Sequence, residues 1–152
     1  MTQIVLLDAG PLGLLTRSPR IPEAAVCYTW LRTRLASGSR VLLPEIADYE
    51  VRRELLRLKA RSALHRLDAL HDETIYLPLT TPVMRRAAEL WAQMRQQGTP
   101  TADPQALDGD VILAAQALAV PEPGDTAIVA TTNVGHLGRL VPAARWQDII
   151  ED

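Results

Sequence analysis

The chain has 152 residues, the length of one domain that can bury a substantial hydrophobic core. Its composition, with 47% hydrophobic and 22% charged residues, is typical of a globular protein and excludes a disordered chain. A net charge of -2 provides no overall positive field for nucleic acid, and the single cysteine, Cys27, excludes an internal disulfide bond. The sequence shows no apolar run long enough to cross a membrane and no secretory signal, so we expect a cytoplasmic protein.

Short apolar runs alternate with helical patterns along the chain. The sequence predicts five strands, at residues 3–7, 40–43, 74–79, 126–131 and 143–146, the last of them at a sheet edge. It predicts helices over about 22–37, 44–60, 62–70 and 81–97, and a last helix that ends near residue 120. Residues 8–13, which include two glycines and a proline, are predicted to form a tight loop. This alternation predicts a single α/β domain over residues 1–152 with a parallel sheet and right-handed crossovers.

Acidic and amide residues lie next to several of these apolar runs. Asp8 follows the first strand, Asp108 and Asp110 open the apolar stretch 111–115, and Asn133 follows the fourth strand. Because the carboxyl ends of parallel strands share one edge of a sheet, these distant side chains can converge there. Converging carboxylates repel one another unless a cation neutralises them, and hard divalent ions bind oxygen ligands. The pattern therefore predicts a metal-dependent site.

Glu50 and Glu54 stand four residues apart on the second predicted helix and can face the same side. Neighbouring cationic side chains explain Glu54 as a surface ion pair, whereas Glu50 lies closer to the predicted buried face. Glu50 is therefore the better candidate for the site.

Ordinary structural roles compete with function at the other acids. Asp8 can cap the turn that follows it, and either Asp108 or Asp110 can be the N-cap of the last helix. Asp103, which precedes a proline, also matches a cap. Asn133 can be a simple turn residue.

The cationic side chains, nearly all arginine, cluster between Arg52 and Arg66 and include Arg53. Arginine pairs with phosphate and equally with carboxylates on the same helix. We interpret the cluster as a solvated helix face first and as a nucleic-acid contact second.

Four segments in this order resemble the PIN-domain family, and most closely the VapC-type ribonuclease toxins of bacterial toxin–antitoxin pairs. They are the strand that ends in Asp8, residues 44–55 (PEIADYEVRREL), residues 108–117 (DGDVILAAQA) and residues 131–137 (TTNVGHL). Each motif is weak alone, but together they span nearly the whole chain.

The resemblance implies a three-layer PIN-like domain, with a five-stranded, mostly parallel central sheet flanked by helices. It implies RNA cleavage with Mg²⁺ or Mn²⁺, a cognate antitoxin and a homodimer. The residues it assigns to catalysis are Asp8, Glu50, Asp110 and Asn133. The residues it assigns to the metal are Asp8, Glu50 and Asp110, with Asp108 as a helper. We expect Arg53, Thr131 and Thr132 to contact the substrate.

The sequence departs from the family pattern at two motifs. Ala9, Gly10 and Pro11 follow the first acid, where the family usually has a hydroxyl residue and asparagine. Thr132 and Leu137 occupy the fourth motif, where a cation and an aromatic residue are common. These departures keep open an alternative, a degenerate PIN domain that binds RNA or protein without cutting.

Three other site types on similar sheets lack a required residue. A receiver-like domain needs an aspartate after the third strand and a lysine after the fifth, and the sole lysine is Lys59 on a helix. A haloacid-dehalogenase-like site needs a second aspartate where Gly10 stands. Neither glycine-rich nucleotide-binding fingerprint occurs.

Overall fold

The structure, a computed structural model, describes residues 3–98, 104–135 and 137–150, and the side chains of residues 104–106 lie outside that description. Five parallel strands form one sheet in the order β3-β2-β1-β4-β5, which confirms the predicted parallel sheet with its last strand at an edge. The strands are β1 Gln3–Leu7, β2 Arg40–Pro44, β3 Ile75–Leu77, β4 Thr126–Thr131 and β5 Ala143–Arg145.

Strand β1 is the centre of the sheet because its side chains are apolar on both faces. Ile4 and Leu6 pack into the core on one side, whereas Val5 and Leu7 pack into the core on the other. All four are fully buried, as a continuous apolar run in a central parallel strand predicts. The register with β4 pairs Leu7 with Ala130, so the residues after these two positions lie side by side at the carboxyl edge of the sheet.

Helices cover both faces of the sheet and give the predicted three layers. They are α1 Ala9–Thr16, α2 Pro22–Ala36, α3 Glu45–Arg57, α4 Arg61–Glu73, α5 Thr81–Gln96 and α6 Pro104–Ala119, with short 3-10 helices at Leu137–Arg139 and Trp146–Asp148. Helices α5 and α6 pack with Ile4 and Leu6, whereas α1, α2 and α4 pack with Val5 and Leu7. In the part of the chain that the structure describes, no helix has both the length and the apolar character needed to span a bilayer.

The predicted loop at residues 8–13 is wrong, because α1 begins at Ala9. The backbone N–H of Leu12 donates to the carbonyl oxygen of Asp8 at 3.1 Å and starts the helix. Pro11 is the third helical residue, where a missing N–H costs nothing because the first turn has no partner for it. Burial of Leu12 and Leu15 outweighs the weak helix propensity of the glycines.

The predicted start of the last helix also needs correction. Helix α6 begins at Pro104, so Asp108 and Asp110 lie within it and neither is its N-cap. A proline at the first position agrees with the expected cap-proline pair, although Asp103 itself lies outside the described residues. A capping role therefore explains neither Asp108 nor Asp110.

Candidate active site

Asp8 lies at the carboxyl end of β1, where the strand passes directly into α1. One carboxylate oxygen, Oδ1, accepts a hydrogen bond from the backbone N–H of Ala9 at 2.7 Å, so Asp8 is the N-cap of α1. The other, Oδ2, accepts from the hydroxyl of Thr131 at 2.7 Å. The capping role and the site role considered for Asp8 are thus compatible, because the cap fixes the orientation of the carboxylate.

Thr131 is the last residue of β4 and only 2% exposed. The N–H of Asp8 donates to the carbonyl of Ala130 at 2.9 Å, and this continuation of the sheet brings Thr131 beside Asp8. The Thr131 hydroxyl also accepts from the backbone N–H of Asn133 at 3.2 Å, which shapes the turn after the strand. A buried hydroxyl engaged in this way positions Asp8, and its burial gives no support to the predicted contact with substrate.

Glu50 is partly buried on α3, the helix that directly follows β2. Its pKa is raised, first because burial removes water from the carboxylate and then because Asp8 repels its charge. Arg53 opposes the shift in the pKa, and Asp110 adds to it. The structure therefore brings Asp8, Glu50 and Asp110 close enough for their charges to interact, as the sequence predicted.

Gly109 explains how α6 comes so close to Glu50. A Cβ atom added to Gly109 would lie 3.0 Å from Oε2 of Glu50 and 3.4 Å from its Oε1. No larger residue fits between the two helices without displacing that carboxylate. The sequence signal for this close approach is the glycine between Asp108 and Asp110.

Asp108 does not join Asp8, Glu50 and Asp110. It is exposed and lines a groove with Met84, Trp91 and Val111, between α5 and α6. Side chains two residues apart on a helix project in directions about 200° apart, so Asp108 and Asp110 face different surroundings. The predicted metal-helper role of Asp108 has no support from this placement.

Arg53 is an exposed cation close enough to Glu50 to oppose the rise in the pKa of that carboxyl. Its guanidinium lies 5.0 Å above the ring of Tyr49, itself 56% exposed. The other arginines of α3 are engaged with acids: Arg52 with Asp48 and Asp68, and Arg57 with Glu54. These pairs fit the solvated-face interpretation of the cluster, whereas Arg53 has no ion pair among the described residues.

Thr132 and Asn133 are exposed at the turn after β4. A Cβ atom added to Gly10 would lie 2.4 Å from Oγ1 and 2.6 Å from Cγ2 of Thr132. The glycine that replaces a larger residue in the first motif thus lets α1 approach the fourth motif. The two departures from the family pattern are in contact with each other.

A groove of about 530 Å³ extends from Glu50 between α1, α3 and α4. Gly10 and Gly13 line it on α1, and Arg66 lines it on α4. Arg66 is held by a hydrogen bond of 2.7 Å from its Nε to the carbonyl of Thr16. The groove gives an extended ligand access to Glu50.

The donor chemistry of Asp8, Glu50 and Asp110 suits a hard divalent ion, because carboxylate oxygens are the ligands such ions prefer. Over the described residues, no three acid, histidine or cysteine side chains are already gathered as a metal-ligand set. The pKa of Glu50 is raised by burial first and then by the charges of Asp8 and Asp110, and a bound cation would relieve that repulsion.

Three solved structures share the fold over most of their length. VapBC2 from Rickettsia felis, bound to a DNA fragment from its promoter, gives a TM-score of 0.73 at 16% identity, over 94% of this chain and 98% of that chain. VapBC-1 from nontypeable Haemophilus influenzae gives 0.68 at 16% identity, over 95% and 99%. DNA-bound VapBC from Salmonella typhimurium gives 0.66 at 17% identity, over 96% and 99%.

No protein-family model and no curated protein matches the chain. At such low identities, the structural likeness concerns the fold. The chain has the α/β fold of chains from VapBC complexes, the fold that its four motifs predicted through their resemblance to the PIN-domain family.

Proposed function

We propose that this protein is a divalent-metal-dependent endoribonuclease that hydrolyses phosphodiester bonds. The observation that carries the proposal is the meeting of three acid-bearing segments: the carboxylate of Glu50 lies against Gly109 of α6, next to Asp110, and close enough to Asp8 for their charges to interact. The raised pKa of Glu50, caused by burial first and then by the charges of Asp8 and Asp110, supports the same arrangement. Three carboxylates from separate segments destabilise the fold by repulsion, and a purely structural domain has no use for that arrangement. A site that binds a cation requires such an arrangement.

Asp8, Glu50 and Asp110 would hold one or two Mg²⁺ or Mn²⁺ ions. Mg²⁺ retains several of its waters, so the carboxylates can act through water as well as directly. A bound divalent ion lowers the pKa of a coordinated water and offsets negative charge on the phosphate. Thr131 fixes the orientation of Asp8, and the exposed amide of Asn133 is available to the phosphate or to a water.

Arg53 is the residue we assign to the RNA backbone. It is exposed, lies next to Glu50 and forms no ion pair among the described residues. A cation at this place attracts phosphate without reading the base sequence. The exposed ring of Tyr49 beneath it adds a flat apolar surface at the same edge.

A role as the toxin of a toxin–antitoxin pair fits the fold neighbours, which are VapBC complexes, two of them with DNA. We include in the proposal a cognate antitoxin that covers the groove containing Glu50. The proposal also includes a homodimer and a cytoplasmic location. A partner that blocks Glu50 would keep the enzyme inactive until the partner is lost.

The second candidate is a PIN-like module that binds RNA or protein without cutting. The observation in its favour is that the first and fourth motifs depart from the family pattern, at Gly10 and at Thr132. The convergence of Asp8, Glu50 and Asp110 favours the nuclease instead.

The deciding experiment is cleavage of a mixed pool of structured RNA by partner-free protein in Mg²⁺ or Mn²⁺, with EDTA as the negative control. Glu50→Gln and Asp8→Asn should each reduce cleavage by a factor on the order of 100 or more, because a metal site contributes several kcal/mol to the transition state. Asparagine is as good an N-cap as aspartate, so Asp8→Asn keeps α1 intact.

Glu54→Gln is the matched control, because Glu54 lies one turn from Glu50 and is paired with Arg57. It should cleave like the wild type. If the folded protein binds RNA but does not cleave it with either ion, the nuclease proposal is wrong and the binding module is the better one.

A further inference from the structure

A second groove, of about 500 Å³, lies between α2 and the 3-10 helix Trp146–Asp148. Its walls include Val26, Trp30 and Arg34 from α2, and Trp146 and Ile150 from the end of the chain. None of its lining residues belongs to the groove that contains Glu50. It is therefore a separate surface.

Arg34 is a charged side chain buried in the wall of this groove. Only 3% of the residue is exposed, and its Nε has no hydrogen-bond partner among the residues that the structure describes. No ion pair involves Arg34 among the described residues. A buried guanidinium without a counter-charge destabilises a fold, so a residue of this kind is expected to meet a partner that the isolated chain does not provide.

Trp146 adds a second unused donor on the same wall. The residue is 2% exposed, and in the described part of the chain its indole Nε1 also has no hydrogen-bond partner. The neighbouring Trp30 differs, because its Nε1 donates to the carbonyl of Ile149 at 2.8 Å. Both unused groups are hydrogen-bond donors, so the missing partner is an acceptor, and the guanidinium requires it to be negative.

The rest of the groove is mostly apolar, and its polar lining residues are Thr29, Thr33 and Gln147. The rings of Trp30 and Trp146 pack edge to face with centroids 5.8 Å apart, and Val26 and Ile150 are 58% and 68% exposed. Among the described residues that line it, Arg34 is the only cation. A nucleic-acid backbone requires several cations in a row, whereas a single carboxylate with an apolar neighbour requires one.

We infer that this groove binds a carboxylate flanked by an apolar side chain, presented by an acidic segment of a protein partner. The guanidinium of Arg34 supplies the charge and the donors, and the aromatic and aliphatic walls, Trp146 among them, take the apolar side chain. The inference does not depend on ribonuclease activity.

The test follows the three tryptophan indole N–H signals of the whole protein by ¹H–¹⁵N NMR during titration with N-acetyl-leucine, a carboxylate with one apolar side chain. The Trp146 signal should shift and saturate, while that of Trp91, which lies outside the groove, should not move. N-acetyl-leucinamide, which has the same side chain without the charge, should produce no saturable shift. An equal shift with the amide, or no shift with either probe, would overturn the inference.

Inorganic phosphate separates carboxylate from phosphate recognition. A shift of Trp146 with phosphate and none with N-acetyl-leucine would overturn the carboxylate assignment and point to a nucleic-acid or phosphorylated ligand.

Arg34→Met keeps an unbranched apolar stem and removes the charge and the donors. We expect this variant to fold with unchanged or higher stability and to bind N-acetyl-leucine about tenfold more weakly or worse. Arg32→Met, at an exposed position of the same helix, is the matched control and should bind like the wild type. Unweakened binding by Arg34→Met would contradict the inference, and if that variant does not fold, the comparison of the two leucine probes on the wild type decides.

Discussion

The hydroxyl of Thr131 donates a 2.7 Å hydrogen bond to Oδ2 of Asp8, across 123 positions of the sequence. The carbonyl oxygen of Asn133 lies 3.1 Å from the same hydroxyl. A hydroxyl has one hydrogen to donate, and the shorter contact to a charged acceptor is the stronger one. Thr131 therefore orients the carboxylate on which the proposed metal site depends.

Thr131→Val should test this positioning role. Valine keeps the buried shape and removes the hydroxyl, so Asp8 loses its second anchor. We expect metal affinity to fall about 10- to 100-fold, the usual effect of removing a group that orients a ligand. Calorimetric titration with Mn²⁺ measures it. Thr131→Ser restores the hydroxyl and should recover most of the affinity, and failure of that rescue would contradict the role.

Glu50 should make stability depend on pH in a defined direction. Its pKa is raised by burial and by Asp8, so the folded state binds more protons than the unfolded state between the ordinary value of 4.5 and the raised one. Its contribution to stability is therefore complete below 4.5 and lost as the pH rises through the raised pKa. Glu50→Gln should be more stable than the wild type at neutral pH, and this advantage should vanish in acid.

Urea unfolding over a pH series measures this difference, and Glu54→Gln provides a control of opposite sign. The pKa of Glu54 is lowered, chiefly by its hydrogen bond to Arg57, so its removal should not stabilise the protein at neutral pH. Mn²⁺ should stabilise the wild type more than Glu50→Gln. Equal stability of the wild type and Glu50→Gln at neutral pH would show that Glu50 is not repelled.

Arg53→Gln should weaken RNA binding without changing the chemical step. A lost phosphate contact raises KM, leaves kcat nearly unchanged and reduces the salt dependence of binding by about one charge. Arg57→Gln is the matched control, because that guanidinium is engaged with Glu54. Equal effects of the two substitutions would mean that Arg53 has no special role.

Gly10 and Gly13 should respond oppositely to alanine, although both lie on α1. Nothing lies within 4 Å of a Cβ atom added to Gly13, so Gly13→Ala should gain about 0.5–1 kcal/mol from helix propensity. The new methyl group of Gly10→Ala collides with Thr132, so the free energy of unfolding should fall by about 1–3 kcal/mol through overpacking. Thermal or urea unfolding measures both, and adding Thr132→Ala should relieve Gly10→Ala. A stabilising Gly10→Ala would contradict the close contact.

The strands were predictable because each is a short apolar run with clear boundaries. The start of α1 was not, since Gly10 and Pro11 favour a loop locally. Only the burial of Leu12 and Leu15 against the sheet makes the helix the better choice. Tertiary packing thus decided against local propensity.

The approach of Asp8, Glu50 and Asp110 to one another was predictable, because it follows from strand order and motif position. The direction of Asp108 was not, because it depends on the true start of α6. The role of Thr131 was missed for a related reason. Its hydroxyl reaches Asp8 only through the register of β1 and β4, which the sequence does not specify.

That register also has a consequence for the order of events during synthesis. Strand β1 is made before β4, so one of its two edges stays unpaired until β4 leaves the ribosome. Until then Asp8 has neither the Thr131 hydroxyl nor the carbonyl of Ala130 beside it. The proposed RNA-cleaving site is thus expected to stay incomplete until β4 has been made.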